Sequence, residues 1–199
     1  MAYIFQRLAN KATKAGIDPK NVADARQWFR DAAMQVSSVN TKQVIATADP
    51  SAIFQSLSAN SIGKMYCFFY DPKHKKTLPY YDRFPIIFPI EFNNGSMLGI
   101  NLHYLPPIVR AQLMDALFST ANNDKYNKTT KLGLSYSILK GASLGDLFKP
   151  CVKRYLFSHV RSKFMYVSPQ RWDMAALLPM ERFVKASKDK VWAESLEKL

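Results

Sequence analysis

Cysteine is nearly absent: Cys67 and Cys151 are the only two in 199 residues, and both lie inside apolar runs. That excludes a disulfide framework or a cysteine-bound zinc and fits a reducing compartment. Histidine is almost as scarce. His74, His103 and His159 have no Cys, Asp or Glu at ligand spacing, so no metal is expected. The seven glycines form no phosphate-binding loop, no dinucleotide fingerprint and no GxSxG elbow. The fifteen Asp and Glu residues are scattered, whereas a metal-dependent nuclease needs them clustered. Apolar runs stop well short of the roughly 18 residues a membrane span requires, and "MAYIFQRLAN" has no leader core. The chain therefore reads as a non-enzymatic protein made in a cytoplasm, with no cofactor, no small-molecule substrate and no membrane span.

Positive charge is what the sequence has in excess. Lys and Arg number 28 against 15 acids, for a formal charge of +13. The excess is spread along the chain, 12 against 7 before Ile100 and 16 against 8 from there on, so it is a property of the whole surface and not of a tail. Such a field favours nucleic acid, anionic lipid or an acidic protein face. With 48% hydrophobic and 13% aromatic residues there is also enough apolar material for one real core.

Along the chain, Ile4, Leu8, Ala12 and Ala15 recur at helical spacing before Gly16, a stop signal. A second helix restarts with Asp18 as cap and Pro19 in its first turn, and carries Val22, Ala25, Phe29, Ala33 and Val36 as its apolar stripe. Residues 37–63 hold only Lys42 and Asp49 as charges and show no sustained period, as expected of a tether. "MYCFFYD" is a short buried strand, and "FPIIFPIEF", "NNGS" and "MLGINLHYL" read as a β-hairpin about an Asn-Gly turn. Its second arm puts Leu98, Ile100, Leu102 and Tyr104 on a buried face and Met97, Gly99, Asn101 and His103 on a wetter one. Pro85 and Pro89 are expected to blunt an outer edge of the first arm. A helix then starts near Pro107, "NNDKYNKTT" from Asn122 is a polar loop, and "PCVKRYLFSHVRSKFM" reads as a helix with Val152, Leu156, Val160 and Phe164 inward. Ser168-Pro169 opens another helix, ended or kinked by Pro179, and an amphipathic segment follows. The expected fold is α+β, a small antiparallel β core, SH3-like or hairpin-based, flanked by N-terminal and C-terminal helices. Its parts are N-terminal helices over 1–36, an extended tether over 37–63, the β core with its packed helix over 64–120, and a C-terminal helical region over 121–199.

Two regions are candidate contact surfaces. The loop from Asp71 to Arg83 is thirteen residues, long for a simple connection, and has Lys73, His74, Lys75 and Lys76 at its tip. Its tip reads either as a solvated turn opened by Asp71-Pro72 or as a contact for phosphate or an acidic partner. Tyr80, Tyr81 and an Asp82–Arg83 ion pair would order it, which favours an interface element, and nothing in it looks catalytic. The second region runs from Lys140 to Arg171, with seven basic residues and one acid. On the expected helix, Lys153, Arg154, Arg161 and Lys163 form a basic surface for phosphates or an acidic partner, against the plainer reading of a solvated face. Among the histidines, His159 reads as a hydrogen-bonded, partly buried residue and His103 as the more informative one.

The segments "GKMYCFFYDPKHKKTLPYYDRFPIIFPIE" and "GSMLGINLHYLPPIVRAQLMDAL" carry a resemblance, above all in "YDPKHKKTLPYYDRFP" and "GINLHYLPP". Over Gly63 to Leu117 the chain resembles small virion-structural proteins of tailed bacteriophages with contractile, T4-like tails. That resemblance implies a non-enzymatic part of the tail, baseplate or head-completion (neck) apparatus. It further implies synthesis in the host cytoplasm, residence in the virion, and multi-copy assembly with other phage structural proteins. No catalytic residue carries over. The competing expectation is a DNA-binding protein that engages packaged phage DNA or its ends through the basic helix.

Overall fold

A computed structural model describes residues 4–17, 22–46, 57–121, 137–141 and 149–197. Period-two alternation builds its centre. In β1 (Met65–Cys67) and β3 (Ile86–Asn93), Met65, Cys67, Ile86, Phe88 and Ile90 face one side, and Tyr66 and Ile87 the other. With β4 (Ser96–Asn101), β5 (Val152–Leu156) and β6 (Met165–Val167) they make a five-stranded antiparallel sheet in the order β5-β4-β3-β1-β6. A two-stranded sheet pairs β2 (Tyr81–Asp82) with β7 (Phe183–Val184). The α+β expectation holds.

Helices cover one face of the large sheet. These are α1 (Ile4–Lys14), α2 (Val22–Met34), α4 (Pro107–Ala121), α5 (Trp172–Leu177) and α6 (Lys188–Leu196), and α3 (Thr41–Ala46) adds Val44 to the same core. Phe88 of β3 meets Trp172 of α5 edge-on at 5.0 Å. Burying a side chain of that size contributes about 1.5–3 kcal/mol. The other face is closed by an aromatic cluster of Tyr66, Phe68, Tyr70 and Tyr155, packed with Ile87 and Met97.

Several expected elements are present. Gly16 stops α1 at a φ of 73°, Pro107 opens α4, and α5 ends just before Pro179. The hairpin turns at Asn94-Gly95, where Gly95 supplies the positive φ of 75°. Asp18 and Pro19, the segment 122–136 and the segment 142–148 lie outside the described residues.

Others are corrected. The basic segment after Pro150 is no helix: it is strand β5, a 3-10 turn over Phe157–His159, and strand β6. Its apolar step of four fits a helix, but four is also twice the strand period, and the β-branched and aromatic residues decide for the strand. β5 and β6 form the two edges of the sheet, so the sheet crosses the expected boundary between 120 and 121. The first hairpin arm is no edge either: β3 lies between β4 and β1, with Ile87 opposite Asn101 on one side and Tyr66 on the other. Pro89 is accommodated at a bulge, where the register slips between Pro89 and Glu91 and Gly63 N–H donates to the Pro89 carbonyl. The "wetter" face of the second arm is buried, with Asn101 and His103 fully enclosed and Leu102–Tyr104 turning as a 3-10 helix. Within 37–63, α3 is a packed helix, and the Arg182 guanidinium donates to the Val39 carbonyl, so this part of the expected tether is folded down.

Candidate nucleic-acid interface

The loop from Asp71 to Arg83 is tied down at three points. At its base, Asp71 N–H donates to the His159 carbonyl at 3.0 Å and His159 Nδ1–H donates back to the Asp71 carbonyl at 2.8 Å. At its tip, Lys185 Nζ donates to the carbonyls of Lys76 and Leu78, both at 2.9 Å. At its end, β2 pairs with β7, Tyr81 opposite Val184 and Asp82 opposite Phe183. Lys73, His74, Lys75 and Lys76 are exposed on this ordered frame. Lys75 closes an ion pair onto Asp71 at 2.9 Å, and this hydrogen bond and charge hold the Asp71 carboxyl below its ordinary range.

The expected Asp82–Arg83 pair does not form. Asp82 points inward instead, where its carboxylate accepts from His103 Nδ1 at 2.6 Å and from Asn101 Nδ2 at 3.3 Å. It also accepts from the amides of Phe84 at 2.9 Å and Arg182 at 3.1 Å. Burial works against ionising this carboxyl, but the His103 ring and these donors outweigh it and hold the group below its ordinary range. Behind it, the fully buried Arg110 pairs with Glu181 at 2.6 Å and donates to the carbonyls of Leu105, Ala176 and His103. Trp192 Nε1–H donates to the same His103 carbonyl at 2.9 Å. This network fixes the end of β4 against β2.

On that foundation stands a cavity of about 400 Å³ between the loop and β5. Tyrosines 70, 80, 81, 104 and 155 line it, with Asp82 at its floor. Lys73 and His74 reach it from the loop, and Lys153 and Arg154 from the strand. Thus two candidate groups far apart in sequence line one opening. Lys153 Nζ sits 4.2 Å from the centre of the Tyr104 ring, a cation–π contact. Arg154 NH1 donates to Ser96 Oγ at 3.2 Å, and Asn101 Nδ2 donates to the Tyr155 hydroxyl at 3.0 Å. Burial pushes the phenols of Tyr70, Tyr104 and Tyr155 up; burial, then the neighbouring Glu194, pushes that of Tyr80 up to about 12. These four are neutral hydroxyls at physiological pH.

The remaining candidates stand apart. Lys75, Lys76 and Arg83 are exposed but do not line the cavity, and neither do Arg161 and Lys163, which lie in the turn between β5 and β6. Tyr70, Tyr104 and Tyr155 are cavity residues that sequence reasoning did not single out: Tyr70 and Tyr104 were placed on strands, and Tyr155 in the segment expected to be a helix. Arg110 was missed too, although its place on one helical stripe with Met114 and Leu117 is the signal of a buried charge. His159, half-buried and bonded to the Asp71 carbonyl, is as expected. No group of three or more His, Cys, Asp or Glu residues able to hold a metal occurs among the described residues, and no described helix is long and apolar enough to cross a membrane.

An α+β chain of net charge +13, with Lys73, Lys153 and Arg154 at a tyrosine-lined cavity, defines a class of protein suited to a ligand that combines negative charge with flat rings. Comparison with known families places it further. A family model described as Phage T4 terminal DNA protecting protein matches residues 4–195, and the chain belongs to that family. It is thus a T4-like phage protein, as the resemblance implied. The expectation of a tail, baseplate or neck component is overturned, because the family is described by the protection of DNA termini. No curated protein and no solved structure matches the chain.

Proposed function

We propose that this protein binds the ends of phage DNA and shields them by occupying them, making and breaking no bond, and that it accompanies the DNA in the virion. The observation that carries this reading is the family match over residues 4–195 and its description as terminal DNA protection. The cavity supports it. Lys73, Lys153 and Arg154 at one opening face a polyphosphate backbone with three cations, and the tyrosines offer flat surfaces to bases. The net charge of +13 draws DNA toward the whole surface, while the cavity gives the end a specific seat.

The test compares a labelled linear duplex with the same duplex closed by a hairpin at each end, across a salt series. The open duplex is expected to bind more tightly and to resist a processive exonuclease when the protein is present. Three phosphate contacts give a salt slope of about −2.7, so a fourfold rise in salt weakens binding about fortyfold. Replacing Lys153 and Arg154 together by Ser should reduce that slope by about 1.8. Equal affinity for open and closed DNA, with no protection from digestion, would refute the reading.

A further inference from the structure

The cavity volume of about 400 Å³ falls near the lower end of the roughly 300–1,000 Å³ range of pockets that enclose small organic molecules. A base pair with both of its backbones cannot enter such a space; a single nucleotide can. We infer that the cavity takes one unpaired nucleotide at the DNA terminus, its base against the tyrosine rings and the backbone phosphates beside it on Lys153, Arg154 and Lys73. This rests on the DNA-end reading and gives it a mechanism for telling an end from the middle of a duplex.

Three features of the wall support it. Tyr70, Tyr104 and Tyr155 are nearly fully buried and held in place, Tyr155 in edge contact with Tyr70 at 4.9 Å and hydrogen-bonded to Asn101, so the deep rings form a fixed surface. Tyr80 and Tyr81 are half-exposed at the mouth. The raised phenols add no negative charge that would repel a phosphate. Rings of this kind accept any base, because every base has a flat face, and that suits protection without sequence preference. The cations are at the same opening: Lys153 lies over Tyr104, and Arg154 is next to it in β5. An internal nucleotide would have to be unpaired and unstacked to enter, whereas an overhanging one is already free. The cavity therefore prefers a strand terminus through the cost of unpairing and needs no base-specific contact.

The experiment uses the full chain and fluorescence anisotropy with duplexes capped by a hairpin at one end. The other end is blunt, carries one unpaired nucleotide, or carries an abasic residue at that position; a fourth DNA is closed at both ends. The unpaired nucleotide is expected to bind about tenfold more tightly than the blunt end, and the abasic residue to lose most of that gain. Tyr81→Ala should remove part of the gain while leaving the circular dichroism spectrum unchanged; if that variant misfolds, the abasic comparison decides alone. Equal binding of unpaired, abasic and blunt ends, with all three above the closed DNA, would overturn the pocket and leave the end-binding reading standing. Equal binding of all four would overturn both.

Discussion

Asp82 sits in a strand of only two residues, yet its carboxylate accepts from two amides, one carboxamide and one imidazole. Removing it takes the acceptor from the buried His103 Nδ1 and from the amides of Phe84 and Arg182. Asp82→Ala is expected to cost about 3–5 kcal/mol in urea unfolding, the usual result of breaking a buried pair from one side. The pH dependence has a definite sign. The folded carboxyls of Asp82 and Glu181 both lie below their ordinary values despite burial, Glu181 because of His103 and Arg110. Their contribution is present above the unfolded value of about 4 and is lost as pH falls through the depressed folded values. Stability should therefore fall steeply below about pH 4, and Asp82→Asn should flatten that fall in a denaturation series against pH. Little of this was legible beforehand. Asp82 reads as half of an ion pair with its neighbour Arg83, and His103 as a residue on a wet strand face. Which way a side chain turns depends on the β2–β7 and β4–β5 pairings, and those contacts are far apart in sequence.

At the scale of elements, the hairpin was the most legible part, because alternation and an Asn-Gly turn are local signals. The strand after Pro150 was the least legible, since its apolar spacing of four satisfies both periods and only the partner strand decides between them. Gly99, at the centre of the hairpin, shows how close that partnership is. A Cβ built there would lie 3.0 Å from Ile87 Cδ1 and 3.3 Å from the Phe88 carbonyl oxygen. The Ile87 tip can rotate away, but the carbonyl belongs to the adjoining strand and cannot. Gly99→Val should destabilise the protein by about 1–3 kcal/mol through overpacking, seen as a lower Tm with an unchanged secondary-structure signature.

Across the whole molecule, the N-terminal helices are bound to the C-terminal half by charge as well as by packing. Arg26 and Arg30 of α2 both reach Asp173 of α5, at 2.7 and 2.5 Å, and both reach Asp115 of α4, at 2.9 Å. Arg30 is buried but keeps Asp115, so Asp173→Ala should cost about 1–3 kcal/mol, measured by chemical denaturation, and should raise hydrogen exchange in α2 more than in the sheet. The sequence shows the amphipathic stripe of α2 but not the partner across more than 140 positions. The same long reach governs the sheet: β1, β3 and β4 form its middle, while both outer strands come from residues 152–167. On the ribosome, β1, β3 and β4 emerge as three strands with two open edges, and the strands that close them, β5 and β6, begin about fifty and about sixty residues after β4 ends. A product cut short before Val152 would therefore expose strand edges that invite aggregation.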